Sequence, residues 1–203
     1  MAVKSNDFDI RAAIVASLLE DGVERKCIRH EITLDSSSSG GRADLVILTR
    51  NVLGIEIKSG RDRLDRLKEQ FRRYERAFDH AAVVVDQTKE KRLGYARNST
   101  IWDHDRKAFV RTWQNSFARP DRYCFSRHTS IVDMARLMWR DEAVDVAWAL
   151  GERCGTRERA ISWMRENATL ASMRPLVIRK LRERAPNRWE EAFWQRFDRL
   201  KAA

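Results

Sequence analysis

The sequence predicts an α/β core followed by an all-helical extension. Three observations lead there. Between residues 43 and 85, three apolar runs of strand length surround an amphipathic stretch of helical period. All seven tryptophans lie after residue 100. From residue 130 onward the apolar spacing is helical, punctuated by Gly151, Gly155 and Pro186.

Taken in order, residues 7–20 place Phe8, Ile10, Ile14, Val15, Leu18 and Leu19 along one side of a helix. Residues 26–34 alternate loosely as a strand, and Ser36–Gly41 reads as a loop. Ala43–Leu48 and Leu53–Lys58 form a β-hairpin by composition. Asp62 is placed to cap a helix carrying Leu64, Leu67, Phe71, Tyr74 and Phe78, whose steps of three and four define one face. Ala81–Val85 is a buried strand. Strand, helix and buried strand make a βαβ unit, so its two strands should run parallel.

The second half opens with a predicted hairpin, Ile101–Asp103 and Ala108–Trp113. Helices are then expected near 130–150, 156–168, 172–185 and 188–201, with Pro175 in the first turn of the third and Pro186 ending it. Residues 1–128 are read as one domain and 129–203 as a basic, tryptophan-rich helical extension.

Composition excludes several classes. With 43% hydrophobic residues the chain can bury a core, and it lacks any apolar run long enough to span a membrane. The N-terminal stretch is broken by charges, unlike a secretion signal. Cys27, Cys124 and Cys154 are odd in number and widely spaced, which fits a cytoplasmic protein without a disulfide framework. The net charge of +10 points to an anionic partner, with nucleic acid first. Residues 1–100 hold 19 basic and 16 acidic residues, whereas residues 101–203 hold 21 and 14, so the surplus leans to the C-terminal half.

Chemistry concentrates in Asp44 and in Glu56-x-Lys58. Glu56 and Lys58 project from one face of a strand, and Ile55 and Ile57 from the other. With Arg50-Asn51-Val52 as the turn, Thr49 pairs with Leu53 and Asp44 falls opposite Lys58, so all three converge. A two-residue turn would put Asp44 on the wrong face, unless a bulge intervened. Two hard carboxylates suit Mg²⁺, and a neighbouring lysine can orient or deprotonate water and stabilise anionic oxygens. The backbone carbonyl of Ile57 is a further candidate ligand.

Arg42-Ala43-Asp44-Leu45-Val46-Ile47-Leu48 followed by Gly54-Ile55-Glu56-Ile57-Lys58-Ser59 resembles the PD-(D/E)XK nuclease superfamily, in its RecB-like and Holliday-resolvase-like style. Gln70 and Tyr74 are similar to that superfamily's Gln-x-x-x-Tyr element. The resemblance covers about residues 10–87. It departs at Ala43, where a proline usually stands, and it lacks the cysteines of iron–sulfur relatives. Leu137-Met138-Trp139-Arg140-Asp141-Glu142 resembles, more weakly, a segment of small mobile-element-associated nuclease-like proteins. The resemblance implies a restriction-endonuclease-like mixed sheet flanked by helices, and a Mg²⁺- or Mn²⁺-dependent deoxyribonuclease. It implies Asp44, Glu56, Ile57 and an upstream carboxylate as metal ligands. For that carboxylate Glu31 is preferred, with Glu20 next and Glu24 third. Lys58, Gln70 and Tyr74 complete the catalytic set.

DNA contacts are expected from Ser59, Arg61 and Arg73, and from Arg179, Lys180 and Arg182 in the basic run 174–188. The same arginines also fit solvated faces and i,i+4 pairs. Asp103-His104-Asp105 suits a hairpin turn better than a metal cluster. The tryptophans at helical positions suit a helical core, with a minority free to stack on unpaired bases. The alternative function is a catalytically silent nucleic-acid-binding or interaction module on the same fold, working with a partner protein of a mobile-element or defence system. A homodimer is compatible with either reading.

Overall fold

The computed structural model describes residues 6–34, 41–88, 99–103, 108–111, 126 and 128–202, with backbone alone over 99–103 and 108–111. The protein is mixed α/β with a helical C-terminal region. Helix α1 (Asp7–Glu20) is followed by a short 3-10 turn and by strands β1 (Ile28–Thr33), β2 (Arg42–Leu48) and β3 (Val52–Lys58). Then come α2 (Leu67–Ala77), β4 (His80–Asp86), β5 (Ser99–Asp103) and β6 (Ala108–Arg111). Five helices complete the described chain: α3 (Ile131–Ala135), α4 (Arg140–Ala149), α5 (Arg157–Asn167), α6 (Leu170–Glu183) and α7 (Arg188–Ala202).

The six described strands lie in one sheet in chain order. β1, β2 and β3 form an antiparallel meander, while β3–β4 and β4–β5 are parallel and β5–β6 antiparallel. The expected parallel βαβ unit and the second hairpin are both present. β4 is buried along its whole length, as its unbroken apolar run requires.

The first hairpin has the expected three-residue loop, displaced by one position. Leu48 pairs with Val52, so the loop is Thr49-Arg50-Asn51. Asp44 therefore lies in line with Glu56 rather than Lys58. A shift of two in pairing preserves the face, so the convergence of the three side chains survives the correction. Thr49 and Asn51 close the loop, the Thr49 N–H donating to the Asn51 carbonyl at 3.1 Å.

Three other elements differ from expectation. Asp62 caps no helix; it accepts from the Ser59 N–H and hydroxyl at 2.8 and 2.6 Å, and α2 starts later. The helix expected over 130–150 is broken at Arg136–Trp139, where the Glu142 carboxylate takes the Trp139 N–H at 2.6 Å and starts α4. Arg157 secures that break by donating to the carbonyls of Arg136 and Met138. Thr169 caps α6, so Pro175 sits in the second turn rather than the first.

The helical region and the sheet bury their apolar residues in one continuous cluster. Ile14, Ile47, Ile55 and Phe78 belong to it together with Met134, Met164, Val177, Leu181 and Phe197. Polar clamps join the two parts. Arg174 of α6 pairs with buried Asp79, its Nε lying 2.8 Å from Oδ2, and Asp79 also accepts the Val52 N–H at 2.9 Å. Arg29 of β1 donates to the carbonyls of Arg184 and Ala185 and pairs with buried Glu190. Burial lowers the pKa of Arg29 and raises that of Glu190, each against the pull of the other.

Candidate functional site

The antiparallel ladder between β2 and β3 ends at Leu45 and Ile55. Beyond it the Asp44 carboxylate takes the place of a backbone acceptor: Oδ2 receives the Ile57 N–H at 2.7 Å. A strand residue's N–H and C=O point to the same edge, so the Ile57 carbonyl also faces the Asp44 side. Side chain and main chain thus meet where the two strands part.

Glu56 stands on the same face of β3 as Gly54 and Lys58, and it is 1% exposed. Its Oε1 lies 2.5 Å from Lys58 Nζ, and its Oε2 accepts the Tyr74 hydroxyl at 2.5 Å. That hydroxyl also receives the Asp44 N–H at 3.1 Å. Tyr74 therefore ties β2 and β3 together from α2. Its ring packs edge-on to Phe78, whose ring lies against Gly54. Burial raises the Tyr74 pKa well above that of a free phenol, and the Asp44 and Glu56 charges add to the effect.

Asp44 is likewise pushed well above the ordinary aspartate range, first by burial and then by the charge of Glu56, against the opposing pull of Arg11. A further cation beside Asp44 would favour its ionised form.

Arg11 had no signal in the sequence analysis. It lies on the buried side of α1, and its guanidinium is 3.0 Å from Glu31 Oε1 and 3.7 Å from Asp44 Oδ1. It also donates to the Asp44 carbonyl and, at 2.9 Å, to Asp7. These carboxylates raise the Arg11 pKa despite its burial. The i,i+4 step from Asp7 to Arg11 was the only available clue, and it is too common to single out a site.

Glu31 is engaged by two arginines. It lies across from Asp44, between the pairs His30–Leu45 and Ile32–Ala43, but its two oxygens are held by Arg11 and, at 3.3 Å, by Arg42. Among the described residues no three His, Cys, Asp or Glu side chains gather closely enough to hold a metal ion together. Glu31 also has φ of 56°, rare for a non-glycine residue and found inside a strand beside the candidate site. Glu20 is exposed at the far end of α1, ~13 Å along the helix axis from Arg11. Glu24 is exposed and pairs with Lys26.

Gln70 sits one turn before Tyr74 on α2, towards the Lys58 end of β3. Its Oε1 is buried without a hydrogen-bond partner among the described residues. Ser59 is buried with its hydroxyl donated to Asp62. Arg61 is exposed, and Arg73 pairs with Glu69 at 2.6 Å. Lys180 pairs with Asp145 at 2.6 Å, and Arg182 donates to the carbonyls of Leu48 and Thr49. Arg184 binds Glu142 and the Leu137 carbonyl. Arg182 thus ties α6 to the end of β2, while Lys180 and Arg184 tie it to α4; Arg179 remains exposed. Asp103 has only its backbone described, and His104 and Asp105 lie outside the described residues, as does Cys124. Cys27 and Cys154 are free and buried. Trp139, Trp148 and Trp189 are about half exposed, contrary to a wholly internal role.

Residues 1–101 match the family model described as Bacteriophage P4 protein cII. The matched stretch contains Asp44, Glu56, Lys58, Gln70 and Tyr74, together with Arg11. No curated protein and no solved structure matches the chain. Among the described residues no helix is long and apolar enough to cross a membrane.

Proposed function

We propose that the protein is a metal-dependent DNA nuclease built on a restriction-endonuclease-like core. One observation carries the reading: Asp44, Glu56 and Lys58 converge where β2 and β3 part, with Tyr74 of the following helix bonded to both strands. The donor set fits a hard divalent cation. Asp44, Glu56 and the Ile57 carbonyl are oxygen donors on neighbouring strands, and the raised Asp44 pKa marks a carboxylate pair that a cation would relieve. The buried, unpartnered Gln70 oxygen adds an acceptor for a hydrated ion or its water.

Asp44, Glu56 and the Ile57 carbonyl would hold Mg²⁺ or Mn²⁺. Such an ion acidifies water and offsets charge on the phosphoryl oxygens. Lys58 stands beside Glu56 to position water and stabilise the developing anion. Tyr74 holds Glu56 in place, and Arg11 keeps Asp44 and Glu31 apart from one another's charge. The family match names a phage protein, which agrees with the expected mobile-element setting.

A second reading rests on a specific observation. Lys58, Tyr74 and Arg11 already partner the carboxylates, which also suits a DNA-binding module that cleaves nothing. A panel of linear, circular, single-stranded and branched DNA and of RNA, with Mg²⁺ or Mn²⁺, separates the two. The nuclease reading expects metal-dependent cleavage that Lys58→Ala abolishes while the fold is kept. Salt-sensitive binding with no cleavage by the intact protein supports the silent module, and full activity in Lys58→Ala refutes the catalytic assignment.

A further inference from the structure

Beside the carboxylates lies a cleft of about 320 Å³, lined by the start of α1, by β1 and by α7. Asp7, Arg11 and Glu31 form one wall, and Arg11 also reaches to within 3.7 Å of Asp44, so the cleft adjoins the candidate site. The other walls are Phe8, His30, Trp189 and Phe193 with Ala192, and the Arg196 guanidinium lies 3.6 Å over the Phe8 ring. Phe8 and Phe193 pack 5.6 Å apart, and Trp189 stands 49% exposed. The guanidinium groups of Arg42 and Arg188 lie 5.8 and 4.9 Å from the Trp189 ring centre. Asn187 fixes this corner: it caps α7 by accepting the Trp189 N–H at 2.9 Å and donates to the His30 carbonyl at 2.8 Å.

His30 forms part of the same lining. It is 1% exposed, its ring lies tilted with its centre 4.3 Å from that of Phe193, and both ring nitrogens lack a partner among the described residues. An imidazole with one protonated ring nitrogen offers one donor and one acceptor. The charges of the lining offset one another, Asp7 and Glu31 standing against Arg11 and Arg196, so a phosphate finds no surplus of positive charge there. A planar heteroaromatic ring suits the lining: its faces meet aromatic walls, its edge meets a neutral donor and acceptor, and cations stand at the rim.

We propose that this cleft takes an unpaired base of the DNA strand, stacked on Trp189 next to the phosphate that a cation at Asp44 and Glu56 would engage. The position of that phosphate rests on the nuclease reading; the base cleft does not. A base within a duplex is stacked on its neighbours and must leave the helix to enter. The protein should therefore prefer single-stranded or unpaired DNA.

The test uses the full chain and oligonucleotides carrying 2-aminopurine, single-stranded and as duplex, in chelator so that nothing is cleaved. Binding of the single strand should change the 2-aminopurine fluorescence, and Trp189→Ala should weaken it roughly 5- to 100-fold. Trp148→Ala, equally exposed but on α4, should leave binding unchanged. Unchanged affinity in Trp189→Ala, duplex bound as tightly as single strand, or no single-strand binding at all overturns the proposal. Cleavage is scored separately with Mg²⁺ and Mn²⁺. Cleavage with affinity indifferent to Trp189 keeps the nuclease and rejects the base cleft. Binding through Trp189 without any cleavage keeps the cleft and rejects the nuclease.

Discussion

Gly54 offers a sharp test of how packing sets the site. A Cβ placed there would lie 2.1 and 2.2 Å from two ring atoms of Phe78, where ordinary contact begins at about 3.4 Å. Phe78 is fully buried, so the ring must move by more than an ångström within a packed core. Overpacking of this kind costs ~2–4 kcal/mol. For a chain of this length that lowers Tm by roughly 5–15 °C. The displaced ring presses on Tyr74, 5.3 Å away centre to centre, and Tyr74 holds Glu56 and the Asp44 N–H. Gly54→Ala should therefore lose stability and cleavage together. Phe78→Leu alone leaves a void and costs ~1–2 kcal/mol. Combined with Gly54→Ala it gives the new methyl room, so the double variant should be more stable than the sum of the singles by at least about 1 kcal/mol. Urea denaturation of the four proteins measures this. Strict additivity, or a harmless Gly54→Ala, refutes the packing argument.

Three further outcomes follow from the same geometry. Tyr74→Phe removes a hydroxyl that serves Glu56 and Asp44, leaving buried partners unmatched; a loss of ~1–3 kcal/mol is expected in denaturant titration. Asp44 has a raised folded pKa, so its contribution to stability is fully present below the unfolded value near ~3.9 and is lost as pH rises through the folded value. Asp44→Asn should accordingly flatten the pH dependence of Tm above pH 4 while abolishing cleavage, as differential scanning across pH 4–8 would record. Arg174→Met leaves the buried Asp79 charge without its guanidinium and should cost ~3–5 kcal/mol, read from the chemical midpoint.

The sequence was most legible where period and composition agreed. The parallel pair β3–β4 followed from an apolar run of a kind that only a doubly covered strand can carry. The convergence of Asp44, Glu56 and Lys58 followed from the parity of strand positions, and parity survived an error of one position in the loop. What escaped notice depends on contacts far apart in the chain. Arg11 looks like one more helical arginine until α1 packs and brings it to Glu31 and Asp44. Arg182 looks like a DNA ligand until α6 reaches the end of β2 and its donors meet the Leu48 and Thr49 carbonyls. Charge counts carry no information on whether a cation faces water or a carbonyl. For the same reason Arg174, Lys180, Arg182 and Arg184, all in the basic run, turn out to have partners inside the fold.

The continuous core has a consequence for how such a chain can vary. The stretch that matches the phage family, residues 1–101, holds the candidate chemistry. The apolar residues beneath it are covered in part by Met173, Val177, Leu181 and Phe197, which lie far beyond that stretch. Chemistry and cover are thus written in separate parts of the chain. A relative alike only in the first part must roof the same sheet with other helices, and the aromatic cleft formed by α7 would then change with the roof while the carboxylates stayed in place.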